Sequence, residues 1–240
     1  MRKIITVILF LFLIPSVCLA GGSRRFDGGD DFITATGFKG ITGTGARTVL
    51  GWFKCNHSAS SGTIIAWGDS SGVNAGRTES FSVESGIFWG RHNASVTFNV
   101  GTGFGDNKWH SFALGLPSGG TNNQRVVYLD FTLRSPTFSN GATAINTLSD
   151  ADLRIGTSLT AINDFNGNLA YIQLFETNLN TNQMFQALNC PGSVPGARMY
   201  WNLFGDTPEP DYSGNATNGT VTAASVAADG PPVHFCSAVI

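Results

Sequence analysis

The stretch "TVLGWFKC" (residues 48–55) is apolar at both of its alternating sets of positions. In an extended strand, Leu50 and Trp52 lie on one face, whereas Val49 and Phe53 lie on the other. A strand that is apolar on both faces belongs in the interior of a sheet that is covered from both sides. This stretch therefore predicts the central strand of a layered β-protein.

Similar short apolar runs recur along the chain, and turn-forming residues separate them. They are residues 24–27, 32–35, 63–67, 81–83, 86–91, 95–100, 109–116, 125–133, 153–155, 169–175, 199–204 and 220–222. Runs 81–83 and 86–91 predict a hairpin, and run 125–133 alternates so regularly that it predicts one uninterrupted strand. Evenly spaced short strands are typical of a sandwich or a barrel.

One segment has a helical pattern instead. Asn180 and Gln183 have the spacing of a capping box, and Met184 and Leu188 then share one helical face. The segment Cys-Pro-Gly at 190–192 ends the pattern. The sequence therefore predicts an all-β protein with one short helix.

The composition agrees with this class and limits the partners. The chain has 30 Gly and 18 Phe, its charged residues amount to 12%, and its formal net charge is −2. Glycine suits turns, and aromatic residues suit half-buried strands. A chain without a basic excess is not expected to bind nucleic acid.

The first residues have the layout of a secretory signal peptide. Arg2 and Lys3 precede an apolar run at 4–14, Pro15 breaks it, and small residues end at Ala20. We predict a signal peptide at 1–20 and one domain at 21–240, located outside the cell, at its surface or in the periplasm. The apolar run is too short for a membrane span, and an uncleaved anchor is the alternative.

Three cysteines remain after this cleavage. An odd number in an exported protein predicts one disulfide and one free thiol. Cys190 and Cys236 both lie outside the long strands, whereas Cys55 ends an apolar strand in which a buried thiol packs well. We therefore predict a disulfide between Cys190 and Cys236.

Several motifs occur in an order that is found in one known superfamily. They are "FDGGDDF" (26–32), "TVLGWFK" (48–54), "DNKWH" (106–110), "LRIG" (153–156) and "FNGNLAYI" (165–172). Together they resemble the laminin G-like branch of the concanavalin A-like lectin/glucanase superfamily. Ala170 departs from the pattern, because the family often has an acidic residue there.

The C-terminal part, 200–221, resembles the segment that usually precedes the opening motif in this family. Its position at the end of the chain predicts that the final strands lie beside the first ones. The resemblance implies a two-sheet antiparallel jelly-roll sandwich. Members of the family are mostly glycan-binding or protein-binding modules, and some are hydrolases or lyases.

The acidic residues do not have the pattern that hydrolysis on such a sandwich needs, namely two carboxylates on one face of a strand. Glu79 and Glu84 are five positions apart and fall on opposite faces. Asp150 and Asp152 have suitable spacing, but they lie in a polar loop where Asp commonly forms turns. We therefore predict that the protein is not an enzyme.

Two pairs at strand ends are candidates for ligand binding. We predict Trp89 with Arg91 first and Trp67 with Asp69 second, since an aromatic ring with polar neighbours suits a sugar. The alternative for each tryptophan is a place in the core.

No cofactor is predicted, and calcium is left open. Asp27, Asp30, Asp31 and Asp211 would meet if the chain ends lie together, and carboxylates suit that ion. The alternative is that Asp27 and Asp30 only form turns.

These observations predict a secreted, non-catalytic binding module whose partner is an extracellular glycan or protein. A structural component of a cell surface or virion-type assembly is the first alternative. A glycan hydrolase or lyase is the second.

Overall fold

The computed structural model describes residues 21–57, 60–71, 73–93, 95–205 and 207–233. The strands are, in chain order, β1 (Ser23–Asp27), β2 (Phe32–Thr34), β3 (Arg47–Cys55), β4 (Ser61–Gly68), β5 (Thr78–Glu84), β6 (Ile87–Arg91), β7 (Thr97–Asn99), β8 (Trp109–Leu116), β9 (Val126–Leu129), β10 (Thr132–Leu133), β11 (Thr137–Ser139), β12 (Ala151–Ile155), β13 (Asn166–Phe175), β14 (Ala197–Trp201), β15 (Thr220–Thr222) and β16 (Ser225–Ala227). One α-helix, α1 (Thr181–Asn189), follows β13.

The strands form two antiparallel sheets of eight strands each. Sheet A has the order β10-β9-β8-β3-β13-β1-β16, and β14 pairs with the C-terminal half of β13. Sheet B has the order β11-β7-β6-β5-β4-β12-β2-β15. The main hydrophobic core lies between the sheets. This is the predicted two-sheet antiparallel jelly-roll sandwich with one short α-helix.

β3 lies in the interior of sheet A, as the opening stretch predicts. It pairs with β13 on one side and β8 on the other. Val49 and Phe53 face the core between the sheets, whereas Leu50 and Trp52 belong to a second apolar cluster on the outer face of sheet A. Both faces of the strand are therefore covered.

Helix α1 covers that outer face. Its cap is the predicted one, because the Asn180 side chain accepts a hydrogen bond from Gln183 N, and Gln183 Oε1 accepts one from Asn180 N, both at 3.0 Å. Met184 and Leu188 are buried in the second apolar cluster. Since the only α-helix of the described residues packs on β3 and β8, the outer face of sheet B carries no helix there.

The last strands lie beside the first ones, as the order of the motifs predicts. β16 pairs with β1 in sheet A, with Ser23 opposite Ala227. β15 pairs with β2 in sheet B, with Ile33 opposite Val221. Both sheets therefore contain strands from the two ends of the domain.

The prediction of one strand over 125–133 is wrong. The chain turns back at Asp130 and Phe131, both with positive φ (53° and 57°), and β10 pairs with β9. Asp130 tolerates this conformation because its carboxylate accepts hydrogen bonds from Ser111 N, and its other oxygen contacts His110 Nδ1. Alternating apolar residues on both sides of a tight turn imitate one continuous strand.

A cluster of buried charges lies on the core side of β5. Glu79 is fully buried, and its carboxylate lies 2.8 Å from Arg125 Nη2, 3.5 Å from Arg47 Nη1 and 3.3 Å from His92 Nδ1. Burial alone would raise the pKa of Glu79, but the charge of Arg125 and the contacts with His92 and Arg47 outweigh it, so this pKa is lowered. The cluster joins β3 and β5 to the segments that precede β9 and follow β6.

The cysteine predictions are partly outside the described residues. Cys55 is a free, buried thiol, as predicted, and burial raises its pKa to about 12. Cys236 lies outside the described residues, so its bridge to Cys190 stays a prediction. The signal peptide at 1–20 also lies outside them. No helix of the described part of the chain is long and apolar enough to cross a bilayer.

Candidate functional site

The outer face of sheet B has a row of polar side chains on β5, three of them hydroxyl-bearing. Thr78, Ser80, Ser82 and Glu84 alternate with residues that face the core, of which Phe81 and Val83 are fully buried. Sequence reasoning missed this row. The stretch "TESFSVE" (78–84) nevertheless contains a pattern that indicates it, because Thr and Ser alternate there with larger residues.

A groove forms above β4 and β5. Small side chains form its floor: Ser61, Thr63 and Ala66 on β4, and Thr78, Ser80 and Ser82 on β5. Arg91 and Asn93 line one side, and the loop 158–163 lines the other with Leu159 and Ile162. The cavity has a volume of about 360 Å³, which lies in the usual range for ligand sites. We call this cavity the hydroxyl groove.

Asp69 lines one end of the hydroxyl groove and organises the loop that follows β4. Its Oδ1 accepts hydrogen bonds from Ser71 N at 2.8 Å and Ser71 Oγ at 2.6 Å, and its Oδ2 accepts one from Asn74 Nδ2 at 2.7 Å. Partial burial would raise the pKa of Asp69, but these bonds outweigh it and lower the pKa. Asp69 is therefore ionised, and the loop holds its carboxylate in place.

Arg91 and Trp89 lie side by side on the outer face of β6. The guanidinium of Arg91 lies 4.7 Å from the centre of the Trp89 ring and forms an ion pair with Glu84. Arg91 lines the hydroxyl groove, whereas the ring of Trp89 lies behind it and is half-buried. Among the described residues, Trp89 Nε1 and Ser82 Oγ have no hydrogen-bond partner, although Ser82 is opposite Trp89 in the register of β5 and β6.

Trp67 does not belong to this site. Its side chain is 0% exposed, packs in the main core beside Phe81, and donates a hydrogen bond from Nε1 to Ile41 O. The side chains of Trp67 and Asp69 therefore do not lie on the same face. Residues two positions apart share a face only within a regular strand, and Asp69 lies beyond the end of β4. The alternative reading of Trp67 as a core residue is the one that the structure supports.

The calcium candidates are only partly together. Asp27, Asp30 and Asp31 have carboxylate oxygens within 4.8 Å of one another. Asp27 Oδ1 accepts a hydrogen bond from Gly29 N, and Asp31 Oδ2 accepts one from Asp27 N, as in a turn closed by its own side chains. Calcium at this turn stays a prediction.

Asp211 lies elsewhere, so the pairing of Asp27 with Asp211 is wrong. Asp211 Oδ1 accepts a hydrogen bond from Tyr200 N, and Tyr200 is opposite Gln173 on β13. Asp27 is opposite Asn166 at the start of the same strand. At about 3.3 Å per residue, the two aspartates are separated by roughly 20 Å along β13. The first and last strands of the described residues do meet, but the loop with Asp211 precedes those last strands.

The acidic residues weighed for catalysis have structural partners. Asp150 Oδ2 accepts hydrogen bonds from Ser70, at 2.5 Å from its hydroxyl, and Asp152 lies 2.9 Å from Lys39 Nζ. Glu79 is buried on the core side of β5, while Glu84 lies on the outer face, so these two carboxylates point to opposite faces as predicted.

A second, strongly polar recess lies on the outer face of sheet A. Arg25 and Lys54 flank Asn168 there, because Asn168 is opposite both residues in the register of β13. Lys54 Nζ is paired with Asp229 at 2.8 Å, and Arg25 Nη2 donates to Asn166 Oδ1 at 2.9 Å. The two cations of this recess therefore already have partners within the chain.

Comparisons with known proteins identify the fold. No protein-family model and no curated protein sequence matches the chain. Among solved structures, the chain is similar to a protein of Bacteroides ovatus that is provisionally named a carbohydrate binding protein. The TM-score is 0.66 at 15% identity, and the match covers 90% of this chain and 62% of that one.

Two further structures have the same architecture. A heptameric SAP-like pentraxin of Limulus polyphemus matches with a TM-score of 0.54 at 14% identity, over 91% of this chain and 98% of that one. The IT-sialidase CBM40 of Ruminococcus gnavus, in its complex with α2,3-sialyllactose, matches with a TM-score of 0.54 at 12% identity, over 71% of this chain and 98% of that one. The chain therefore has the concanavalin A-like, laminin G-like sandwich fold, as its motifs indicate.

Proposed function

We propose that the protein is a non-catalytic carbohydrate-binding module that holds a glycan in the hydroxyl groove. The observation that supports this most directly is the chemistry of the groove. Its floor consists of small Ser, Thr and Ala side chains, of which Ser61 and Ser80 are partly exposed, and its sides present a guanidinium, an amide and two aliphatic side chains, Leu159 and Ile162. Sugars have hydroxyls that both donate and accept hydrogen bonds, and they have apolar faces, so each type of lining group has a counterpart.

Arg91 is the residue that we expect to orient the ligand. It is the only cation among the lining residues of the groove, and the Trp89 ring holds its plane in place. A planar guanidinium offers several N–H donors in fixed directions, which suits adjacent hydroxyls of a sugar ring. Trp89 then acts as a support for Arg91 rather than as the first surface that a sugar meets.

The fold is compatible with this proposal and does not decide it. The structural neighbours include a protein provisionally named for carbohydrate binding and a module in complex with sialyllactose. The same fold also hosts unrelated functions, so the argument depends on the site. The module would act outside the cell or at its surface if the signal peptide at 1–20 is processed as predicted.

Binding to a glycan array tests the proposal. Wild-type protein is expected to bind a restricted set of glycans, and Ser80→Trp is expected to abolish this binding, since Ser80 lies in the floor of the groove. Thr220→Trp is the matched control, because Thr220 is exposed on β15 of the same sheet and lies outside the groove. Equal binding by the two variants would place the ligand elsewhere. Release of reducing sugar by the wild-type protein would contradict a non-catalytic role.

A further inference from the structure

The hydroxyl groove is elongated along the strands of sheet B. Its floor consists of two neighbouring strands, β4 and β5, that run side by side along its length. Lining residues extend from Thr78 to Glu84 on β5, and at about 3.4 Å per residue this stretch is roughly 20 Å long. The walls stand on the neighbouring elements, β6 on one side and the loop after β12 on the other, so the groove is a trough that follows the strand direction between them.

The small residues of the floor produce this trough. Every floor residue is Ser, Thr or Ala, whereas larger side chains rise on both sides: Arg91 on β6 and Ile162 on the opposite loop. Ile162 is 60% exposed, so its side chain stands above the floor as part of a wall. A compact ligand would fill only part of such a trough, whereas an extended chain would contact the floor along its full length.

The charges of the trough do not favour an acidic ligand. Its charged lining residues are Asp69, Glu84 and Arg91, which leave one net negative charge. Glu84 is paired with Arg91, and Asp69 is held by Ser71 and Asn74. A carboxylate or sulfate on the ligand would compete with Glu84 for Arg91 and would be repelled by both carboxylates.

From this shape and charge we infer that the groove binds an internal stretch of an extended, uncharged polysaccharide chain, rather than a terminal or acidic sugar. The inference rests on the proposed function and adds the class of ligand. Ser61, Ser80 and the side chains of the two walls then contact successive sugar units, and each unit adds to the affinity until the trough is filled.

Calorimetric titration with oligosaccharides of increasing length tests this inference. The probes are cello-, xylo- and manno-oligosaccharides from disaccharide to hexasaccharide, with oligogalacturonides of the same lengths as acidic counterparts. For the chain type that binds, we expect affinity to rise by about tenfold per added unit, the worth of one or two hydrogen bonds, and then to level off. The acidic counterparts are expected to bind at least about tenfold more weakly.

Disaccharides that bind as tightly as hexasaccharides would overturn the inference, and so would tighter binding of the acidic series. In either case the protein still binds sugars, so the proposed function survives. If no saccharide binds in this series or on the array, the proposed function fails and the inference fails with it. The two failures are therefore distinguishable.

Blocking one end of the trough provides a second readout. Ser61→Trp obstructs the end near Glu84, and Ser70→Trp obstructs the end near Asp69. Each variant is expected to level off at a shorter oligosaccharide than wild type, because sugar units beyond the obstruction lose their contacts. Thr220→Trp, outside the groove, should keep the wild-type length dependence. An unchanged length dependence in both end variants would contradict the inference.

Discussion

The guanidinium of Arg91 lies 4.7 Å from the centre of the Trp89 ring, which places a cation on an aromatic support at the edge of the groove. Stacking of this kind fixes the plane of the guanidinium while its N–H groups stay available at the rim. Because β6 is a regular strand, Trp89 and Arg91 lie on the same face. Their contact is therefore what positions Arg91 for the proposed recognition of sugar hydroxyls.

Arg91→Ala is expected to weaken glycan binding by about tenfold, or about 1.4 kcal/mol, because the orienting donors are lost. The free energy of unfolding should fall by less than about 1 kcal/mol, since the ion pair with Glu84 is more than one-third exposed and screened. Titration calorimetry and urea denaturation measure the two effects.

Arg198→Ala is the matched control for that variant. Arg198 also stacks on a ring, 5.8 Å from the centre of Phe38, and forms an ion pair with Glu176 at the surface, but it does not line the groove. Its removal should leave glycan affinity unchanged. Equal losses of affinity in the two variants would mean that Arg91 has no specific role.

Glu79→Gln is expected to lower the free energy of unfolding by about 3–5 kcal/mol, because it leaves the buried guanidiniums of Arg47 and Arg125 without their counter-ion. Glu84→Gln on the outer face of the same strand should cost less than about 1 kcal/mol. Urea denaturation of the two variants checks this contrast, and similar costs at both positions would argue against a stabilising charge cluster.

His110 and His57 should affect stability in opposite directions as the pH changes. Burial would lower the pKa of His110, but hydrogen bonds with Asp130 and Asp106 outweigh it and raise the pKa. The stability that His110 contributes is therefore complete below its unfolded pKa of about 6.5, and it is lost as the pH rises through the raised folded pKa.

Burial lowers the pKa of His57, whose neutral Nε2 accepts a hydrogen bond from Asn166 N at 2.9 Å. Its contribution is present above about pH 6.5 and is lost as the pH falls through the lowered folded pKa. Unfolding free energies of wild type, His110→Gln and His57→Gln between about pH 5 and pH 9 test both signs. Parallel pH profiles for the two variants would contradict the assignment.

Ser85→Asn is expected to raise the free energy of unfolding by about 0.5 kcal/mol. Ser85 and Gly86 form the turn between β5 and β6 with φ values of 50° and 74°, and Asn tolerates this left-handed conformation better than Ser. Ser85→Val should instead lower the stability by about 1 kcal/mol, because a β-branched residue is strained there. Thermal denaturation of both variants gives the sign, and stabilisation by Val would refute the argument.

Reduction of the predicted bridge between Cys190 and Cys236 should lower the free energy of unfolding by about 4 kcal/mol, the value that chain entropy gives for a loop of this length. Peptide mapping without reductant identifies the bridge. A link from Cys55 to either partner would disprove the pairing, and the buried position of the Cys55 thiol argues against such a link.

The sequence predicts the sandwich fold correctly, but it predicts the candidate site only in part. Residues 48–55 and the cap at Asn180 depend on local pattern, so their predictions hold. The turn at Asp130 and Phe131 depends on a hydrogen bond from Ser111 N to the Asp130 carboxylate. This contact is made between strands, so the periodicity of residues 125–133 does not indicate it. Trp67 shows the same limit, because the strand pattern does not reveal which of two faces meets the core.

The hydroxyl groove was missed for a related reason. Its floor consists of small residues on two strands. Small residues form a groove only where larger side chains stand beside them on adjacent strands and loops, and the sequence does not show which segments are adjacent. Arg91 and Asp69 were predicted as ligand contacts because they are polar residues near strand ends, and both line the groove.

The pairing of β16 with β1 brings Gly230 against Gly21, so closely that a methyl group on Gly230 would lie 1.5 Å from the Gly21 carbonyl oxygen. Gly21 also lies against Tyr171, in the apolar cluster on the outer face of sheet A, whereas the groove opens on the outer face of sheet B. The segment from Gly21 to Gly230 therefore begins and ends at one place, an arrangement that suits insertion into a loop of a host protein. Inserted into a host protein through these two ends, the segment would present the hydroxyl groove on the face opposite the attachment point.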